Sequence, residues 1–313
     1  MRIIRGLRNL KRPIGASAVT IGVFDGVHVG HRRVIEKVVA RARDKKLESV
    51  VVTFDPHPLS VLSPSKKVPS LVSLDHRLVL FKRLGVDTAV VIKFAEPFAR
   101  MSPESFVKKI LIGALGARAV YTGENFYFGN LASAGSGALK RIAAPYGVKV
   151  ISVPPVKVSG KVVSSSLIRR YIASGELDKA MRLLGRPVSI LGTVVPGARF
   201  ARVLGYPTAN INPHHEAIPP AGVYAIKVQI RGAERGGVLN IGKRPTFYAP
   251  RDKEPDIEAH IFDFNARIYG QDIEIRFIKK IRDERRFKDA GALVGQIKKD
   301  AGLALQITRG VIS

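Results

Sequence analysis

The pattern of apolar residues changes near residue 186, and this change constrains the fold more than any other feature. Up to about residue 155, short apolar runs alternate with segments in which apolar residues recur at helical spacing. The apolar runs are residues 18–21, 49–54, 88–92, 117–121 and 148–151. This alternation predicts an α/β domain, with a parallel sheet covered by helices on both faces and ligands at the carboxyl ends of the strands.

Helices are predicted over residues 32–46, 74–84, 103–111 and 137–146, and two more, 165–174 and 176–184, lead out of this domain. After Gly185-Arg186-Pro187 the chain reads as strands separated by Gly/Pro turns. These strands are residues 189–195, 208–212, 222–230, 237–241, 257–262 and 273–278, followed by a helix at about 289–303. The sequence therefore predicts a small antiparallel six-stranded β-barrel with a terminal helix. The predicted domains are residues 1–185 and 186–313.

The composition is that of an ordinary globular protein, with 46% hydrophobic and 25% charged residues in 313. Apolar stretches fall short of the roughly 20 residues that span a bilayer, so no membrane partner is expected. The basic N-terminus lacks the apolar core of a signal peptide, and a cytoplasmic location is expected. The absence of cysteine excludes disulfides, thiolate metal sites and a cysteine nucleophile.

The formal net charge of +27 is unusual. Residues 1–185 carry 31 Lys and Arg against 12 Asp and Glu, and residues 186–313 carry 21 against 13. Such a field attracts polyanions, including nucleic acid. However, the charges are scattered along amphipathic segments, and the phosphates of a nucleotide would draw on the same field. The charge permits nucleic-acid contact without indicating it, and no specific nucleic-acid partner is expected.

Two histidines lie three residues apart where a predicted strand turns into a predicted helix. They belong to residues 22–31, GVFDGVHVGH. Free backbone N–H groups and the positive end of the helix dipole favour a phosphate at such a position. The glycines allow the phosphate to approach the main chain closely. The alternative is that one histidine merely caps the helix and the other is a surface residue.

Three further motifs follow in order: FDPHP at 54–58, GENFYFG at 123–129 and SSSLIR at 164–169. The HxGH element is similar to the signature of the nucleotidyltransferase superfamily. Together the motifs resemble the prokaryotic bifunctional riboflavin kinase/FAD synthetase family, whose pattern runs GxFDGxHxGH, TFDPHP, GxD/NFxFG and SSTxIR. The resemblance extends from about residue 19 to residue 300.

The resemblance implies that the N-terminal module transfers the adenylyl group of ATP to FMN, giving FAD and pyrophosphate without an enzyme nucleophile. Catalysis is then alignment plus neutralisation of charge on the phosphates. By resemblance, His28 and His31 stabilise that charge, Asn125 positions nucleotide and flavin, and a phosphate clamp holds the pyrophosphate. The implied ATP- and flavin-binding residues of this half are Gly22, Phe24, Asp25, Gly26, Gly30, Asp55, Asn125, Ser164, Ser165, Ser166 and Arg169.

Several of these residues also have plainer interpretations. A serine run at a helix N-terminus is most often a cap. Asp25 and Asp55 could serve binding or loop structure. The sequence departs from the family pattern at Ser166, where threonine is common, and at Tyr127, where arginine is frequent. Phe54, Phe126 and Phe128 are expected to build pocket walls rather than to stack on flavin.

The second half carries LGYPTAN at 204–210, which resembles the PTAN motif of riboflavin kinases, followed by NIGKRPTF at 240–247 and EAHIFDF at 258–264. By resemblance, Thr208 and Asn210 coordinate Mg²⁺ and the ATP phosphates, as oxygen donors suit a hard cation. Glu258 is the candidate base for the terminal ribityl hydroxyl of riboflavin. Gly205, Pro207 and Arg282 complete the implied binding set of this half. The loop before this motif has Ala201 where the family has a second glycine.

The leading hypothesis is therefore a bifunctional enzyme that phosphorylates riboflavin to FMN and then adenylylates FMN. Its small-molecule partners would be ATP, riboflavin and FMN. One alternative is that only one module is active. Another is a basic nucleic-acid-binding or regulatory protein on the same scaffold. The sequence leaves the oligomeric state open.

Overall fold

The structure is a computed structural model, and it describes residues 1–63, 65, 69–130, 133–196, 207–214, 216–242 and 255–310. Contacts divide the chain into two compact units. The first is Met1–Pro69 with Leu74–Ser165, and the second is Ser70–Ser73 with Ser166–Ser313. The division falls inside a helix that the sequence assigned to the first domain. The domain boundary at residue 185 stays a prediction.

The first unit is built on a six-stranded parallel sheet. Its strands are β1 (Arg2–Arg5), β2 (Ser17–Ile21), β3 (Glu48–Asp55), β4 (Thr88–Lys93), β5 (Ala117–Gly123) and, later in the chain, β8 (Lys149–Val153). Their spatial order is β1-β4-β3-β2-β5-β8, and every neighbouring pair is parallel. All five residues of β2 are buried. This explains the continuous apolar run, since a parallel sheet is covered on both faces.

The chain also forms two small antiparallel pairs of strands. Strand β6 (Tyr127–Phe128) pairs with β7 (Ala134–Gly135) between β5 and β8, and β9 (Lys157–Val158) pairs with β10 (Lys161–Val162) after β8. The helices of the first unit are α1 (Val29–Lys45), α2 (Pro58–Leu62), α3 (Leu74–Arg83), α4 (Glu96–Ala99), α5 (Pro103–Ser105) and α6 (Ser136–Ala143). Helix α5 runs directly into a π-helical segment, Phe106–Ala114.

Successive residues of β2 point to opposite faces of the sheet, and each face has its own helical cover. Ala18 packs against Val38 and Ala42 of α1. Its neighbour Val19 belongs to the larger core, which includes Leu111 of the π-helical segment and Leu139 of α6. Two layers of helix therefore enclose the sheet, as the sequence predicts.

The second unit contains a closed antiparallel barrel. Its strands are β11 (Ser189–Val195), β12 (Ala209–Asn212), β13 (Gly222–Ile230), β14 (Ala233–Gly242), β15 (Asp256–Ile261) and β16 (Asp272–Arg282). They close in the order β11-β12-β15-β14-β13-β16. Buried and partly exposed residues alternate along β15, which places Ile257, Ala259 and Ile261 in the interior. The predicted six-stranded barrel is confirmed.

Three helices accompany the barrel in the chain: α7 (Ser165–Ala173), α8 (Leu177–Leu184) and α9 (Ala290–Thr308). Asp289 caps α9 by accepting a hydrogen bond from the N–H of Ala292. Ala304 and Ile307 of α9 pack on Ala225 of β13. The segment Ser70–Ser73 joins this unit because Glu216 accepts a hydrogen bond from Ser73 N at 2.7 Å, and Ser70 O accepts one from Ala217 N.

The structure adds elements that the sequence analysis did not predict. Strand β1 is a sixth, edge strand, paired with β4 from Arg2 opposite Thr88 to Arg5 opposite Val91. The predicted helix 103–111 is instead a short α-helix followed by a π-helical segment. The final helix ends at Thr308 rather than near residue 303.

Candidate active sites

The two histidines of the first unit lie at the N-terminus of α1. His28 is the N-cap residue, and its Nδ1 accepts a hydrogen bond from the backbone N–H of His31 at 3.3 Å. The two rings stack with their centroids 3.6 Å apart and an interplanar angle of 19°. Gly30 permits this arrangement, since a Cβ there would lie 3.2 Å from the His28 ring. The glycine therefore makes room for the His28 imidazole.

The surroundings of this pair keep His31 neutral. Burial lowers the pKa of His31 well below its ordinary value, and the neighbouring charges of His28 and Arg77 act in the same direction. Its Nδ1 is buried and has no hydrogen-bond partner among the described residues. Since His28 Nδ1 accepts this hydrogen bond, the ring N–H of His28 lies on Nε2.

The loop that carries the pair is bent by residues in the left-handed region. Phe24 has φ 52°, Gly26 has φ 83° and Val27 has φ 40°. Non-glycine residues rarely adopt such angles, and when they do they often lie at functional sites. The Phe24 ring makes edge contacts with His31 at 5.3 Å and with Phe81 of α3 at 5.8 Å. Phe24 thus packs between His31 and the core residue Phe81. Gly22 lies next to the Phe24 ring.

Arg77 of α3 is a buried cation that the sequence analysis did not identify. Only 4% of the residue is exposed. Its guanidinium donates to the carbonyl of Val23 at 2.6 Å, to Thr53 Oγ1 at 2.9 Å and to the carbonyl of Phe54 at 3.3 Å. Burial lowers its pKa, although Asp25 and Asp55 act in the opposite direction. A spacing pattern gives no sign of this role, because Arg77 sits among the apolar residues of an amphipathic helix.

A cavity of about 330 Å³ opens beside the carboxyl end of β2. Its walls are mainly apolar, with many aromatic side chains, and Ile21, Gly22 and Val23 also line it. The aromatic residues are Phe54, Phe94, Phe98, Phe106, Phe126, Tyr127 and Phe128. Asn125 is the polar residue of this lining, and Tyr127 is 64% exposed. The structure therefore brings Asn125 together with an apolar cleft.

The serine run is divided between the two units. Ser165 Oγ donates to the carbonyl of Asp25 at 2.9 Å, which ties the first residue of α7 to the histidine loop. Asp25 itself is only 3% exposed, and Asp55 ends β3 as an exposed residue. Ser164 precedes α7 in the first unit, whereas Ser166 and Arg169 lie in the part of α7 grouped with the second unit. Phosphate binding by these residues stays a prediction.

In the second unit, strand register brings Glu258 between two asparagines. Glu258 of β15 is paired with Asn210 of β12 on one side and with Asn240 of β14 on the other. Thr208 lies two residues before Asn210, and its Oγ1 is 3.5 Å from Glu258 Oε2. The predicted residues Thr208, Asn210 and Glu258 therefore lie together. Asn240 joins this group of residues in the structure. Its motif was recognised in the sequence, but no role was predicted for Asn240 itself.

The second cavity, of about 660 Å³, begins beside Thr208. Pro207, Thr208 and Ala209 form one wall, and residues 264–269 form the other. His260 shares the outward face of β15 with Glu258, and its Nδ1 is 2.9 Å from the carbonyl of Pro207. This contact anchors the start of the motif next to the cavity.

Arg282 has structural partners in the structure. It forms an ion pair with Asp300 of α9, with Nη2 to Oδ2 at 2.8 Å, and donates to the carbonyl of Asp283. These contacts join β16 to α9, and nucleotide binding by Arg282 stays a prediction. Gly205, the loop with Ala201 and residues 243–247 of the NIGKRPTF motif lie outside the described residues.

In the described part of the chain, no group of three His, Cys, Asp or Glu residues is placed to hold a metal ion. The hydroxyl of Thr208, the amide of Asn210 and the carboxylate of Glu258 nevertheless form an oxygen donor set. Such a set fits Mg²⁺, which keeps several waters and takes further ligands from substrate phosphates.

Comparison with known proteins agrees with this architecture. The family model for FAD synthetase matches residues 11–167, and that for riboflavin kinase matches residues 184–308. These matches define a transferase with two catalytic modules.

Curated relatives match over almost the whole chain. A bifunctional riboflavin kinase/FMN adenylyltransferase from Bacillus subtilis is 37% identical over 95% of this chain and 94% of the relative. The protein of that name from Escherichia coli K12 is 33% identical over 96% of each chain. The chain belongs to the family of bifunctional riboflavin kinase/FMN adenylyltransferases.

A solved structure from Streptococcus pneumoniae has the same fold. It aligns with a TM-score of 0.82 and 31% identity, covering 96% of this chain and 97% of that one. That protein is described as a macrolide-efflux protein. In the described part of this chain, every helix is too short or too polar to cross a membrane.

Proposed function

We propose that this chain converts riboflavin to FMN in the second unit and FMN to FAD in the first, using ATP in both steps. The observation that carries the proposal is the presence of two separate sets of chemical groups on one chain. The first unit has a stacked histidine pair at a helix N-terminus beside an aromatic cleft. The second has a carboxylate that is paired in register with an amide and lies 3.5 Å from a hydroxyl, and the residue with that hydroxyl, Thr208, lines a larger cavity.

For adenylyl transfer, the aromatic cleft takes the flat isoalloxazine ring of FMN, and Asn125 supplies a polar contact at its edge. A phosphate oxygen of FMN attacks the α-phosphorus of ATP. The bond from that phosphorus to the bridging oxygen of pyrophosphate breaks. His28 and His31 donate their Nε2–H groups to the phosphate oxygens on which charge develops, which is the electrostatic stabilisation such a reaction needs.

The pyrophosphate leaves along the N-terminus of α1 and the serine run. Hydroxyls of Ser164 and Ser165 are suited to hold it through charge-assisted hydrogen bonds, and the family resemblance assigns the guanidinium of Arg169 to the same role. Ser166 keeps a hydroxyl where threonine is common. Tyr127 offers a ring at the mouth of the cleft in place of a cation, so it is suited to flavin contact rather than to phosphate contact.

For phosphorylation, Glu258 accepts the proton of the terminal ribityl hydroxyl of riboflavin. The resulting oxygen attacks the γ-phosphorus of ATP, and ADP departs with the electrons of the broken bond. Thr208 and Asn210 hold the phosphates and the metal, and Asn240 orients Glu258 from the opposite strand. Phosphoryl transfer needs little beyond such positioning and charge neutralisation.

Mg²⁺ would neutralise phosphate charge in the second site, held by Thr208 Oγ1 and the Asn210 side-chain oxygen. Chelation with EDTA should abolish both half-reactions, and added Mg²⁺ should restore them. Full activity after rigorous chelation would refute the metal requirement. Metal binding can also be measured apart from turnover, as the Mg²⁺ dependence of ATP affinity in a Thr208→Val variant compared with the parent.

The decisive experiment incubates the purified chain with riboflavin and MgATP and separates FMN from FAD by chromatography. Sequential appearance of FMN and then FAD is expected. FMN alone, or FAD only from supplied FMN, would establish the alternative in which a single module is active. The absence of both products would contradict the proposal and leave a nucleic-acid-binding or regulatory role.

The basic charge supports a test of that last alternative. Nucleic-acid binding, where it occurs, should be equal for unrelated duplexes and should collapse between about 50 and 200 mM salt, because it depends on released counterions. A thousandfold or greater sequence preference, as specific binders show, would favour the nucleic-acid-binding role. A cytoplasmic location remains an expectation from the sequence.

A further inference from the structure

We propose that Arg77 is a positioning residue of the adenylyl-transfer site: it ties together the two loops of that site and supplies a buried positive charge there. The inference rests on the proposed function of the first unit.

The hydrogen bonds of Arg77 connect two neighbouring parallel strands at their carboxyl ends. Val23 follows β2 and begins the loop to His28, whereas Thr53 and Phe54 end β3. One guanidinium reaches all three, and Thr53 Oγ1 closes the set by donating to the carbonyl of Val23 at 3.0 Å. A planar fork of donors can serve three acceptors at fixed angles, which an ammonium on a flexible stem cannot do.

The burial of this cation argues against a purely structural role. Its Nε has no hydrogen-bond partner among the described residues, and burial outweighs the carboxylates of Asp25 and Asp55 in their effect on its pKa. Retaining a buried charge of this kind costs stability, and an apolar residue of similar volume would often cost less. In a phosphate-binding site, such a buried positive charge attracts the bound phosphates, because they are polyanions.

Arg77 also acts on His31. The groups whose charges lower the pKa of His31 are His28, from the same loop, and Arg77, from α3. Asp25 and Asp55 act on Arg77 in turn. Arg77 thereby favours the neutral, donating form of His31 in the free enzyme, while its own charge attracts the phosphates to the same place.

Two variants separate the charge from the geometry, and a third controls for helix α3. Arg77→Met removes both the charge and the donors. Arg77→Lys keeps the charge but loses the three-way bridge. Lys82→Met removes an exposed cation from the same helix. Adenylyl transfer is measured with supplied FMN and MgATP, and riboflavin phosphorylation by the same preparation serves as an internal control.

We expect Arg77→Met to lower kcat for adenylyl transfer by about 100-fold, the scale of a small misplacement of reacting groups. Arg77→Lys should lose about 10-fold, and Lys82→Met should stay within about 2-fold of the parent. Riboflavin phosphorylation should be unchanged in all three variants.

A histidine titration followed by NMR provides a readout that a structural role alone would not move. The His31 ring signals are assigned by comparison with His31→Gln. In Arg77→Met the His31 titration should move up towards the ordinary pKa, while in Arg77→Lys it should stay at the parent position. Thermal unfolding shows whether each variant is folded. If Arg77→Met does not fold, the kcat and titration of Arg77→Lys decide the inference.

Parent-like adenylyl transfer together with a parent-like His31 titration in a folded Arg77→Met variant would overturn the inference. For Arg77→Lys, a parent-like kcat would overturn the bridging role. A parent enzyme that makes no FAD would refute the proposed function instead, so the two failures are distinguishable.

Discussion

The two sites of this chain differ in how deeply some of their groups are buried. In the first unit, Asp25, His28 and Arg77 are each at most 5% exposed. In the second, Thr208, Asn210 and Glu258 are half-buried, and Asn240 is exposed. In the first site, burial lowers the pKa of His31 and of Arg77, whereas in the second site strand register brings the groups together.

The difference follows from the two kinds of sheet. A parallel sheet is covered on both faces, so the groups at its carboxyl edge lie close to a dry interior. The strands of a small antiparallel barrel have one face towards the core and one towards solvent. Glu258 and His260 lie on the outer face of β15, between interior residues such as Ala259. Substitutions in each site test this difference between the two sites, and their expected effects range from a large loss of activity to a small change in stability.

The largest effect is expected from Glu258→Gln. The amide keeps the size of the side chain and some of its hydrogen bonds but removes the base, so ATP and riboflavin should still bind. Loss of a general base costs about 10²–10⁴-fold, and FMN formation should fall by that factor. FAD formation from supplied FMN should stay near normal. If riboflavin phosphorylation stayed within a few-fold of the parent, the base role would belong elsewhere, with Asp263 the next residue to test.

His31→Ala is the matching test of the buried site. Removing one preorganised donor from a developing charge costs about 10²–10³-fold. The variant should accumulate FMN and make FAD slowly, as followed by chromatography. Riboflavin phosphorylation by the same preparation is the control. FAD formation at the parent rate would show that the histidine pair does not act on the phosphates.

Asn240→Ala should have a smaller effect, confined to phosphorylation. Asn240 is exposed, and a hydrogen bond from such a side chain to Glu258 would contribute about 0.5–1.5 kcal/mol, or a few-fold to about tenfold in rate. Asn240→Asp would add a second carboxylate opposite Glu258 and should raise the pH at which kcat for phosphorylation reaches half its maximum. An unchanged pH profile and rate in both variants would remove Asn240 from the site.

The smallest effect concerns stability rather than activity. Since the pKa of His31 is lowered in the folded state from its ordinary value of 6.5, the unfolded chain binds more protons than the folded chain between these two values. Stability should therefore fall as the pH falls below about 6.5, by at most about 1.4 kcal/mol per pH unit for one group. Thermal unfolding of the parent and of His31→Gln at pH 7 and pH 5 measures this. The variant should lose less stability on acidification, and equal losses would contradict the burial argument.

Local sequence patterns determined most of the architecture. The apolar runs predicted five strands of the sheet and all six strands of the barrel, because a buried strand needs apolar residues at its own positions. Strand β1 was not predicted, because Arg-Ile-Ile-Arg is short and partly exposed. Only its pairing with β4 identifies it as a strand. The motifs likewise identified His28, Thr208 and Glu258, since each motif is a short run of chain.

Tertiary structure alone decided the properties that depend on distant neighbours. Arg77 reads as one charged residue of a helix, and only folding places it against Val23, Thr53 and Phe54. The lowered pKa of His31 requires the burial that the complete first unit supplies. Asn240 lies opposite Glu258 because of barrel register, which a run of residues does not encode. The sequence by itself determined which groups are present, and the packing of residues far apart in the chain determined their charge states and their neighbours.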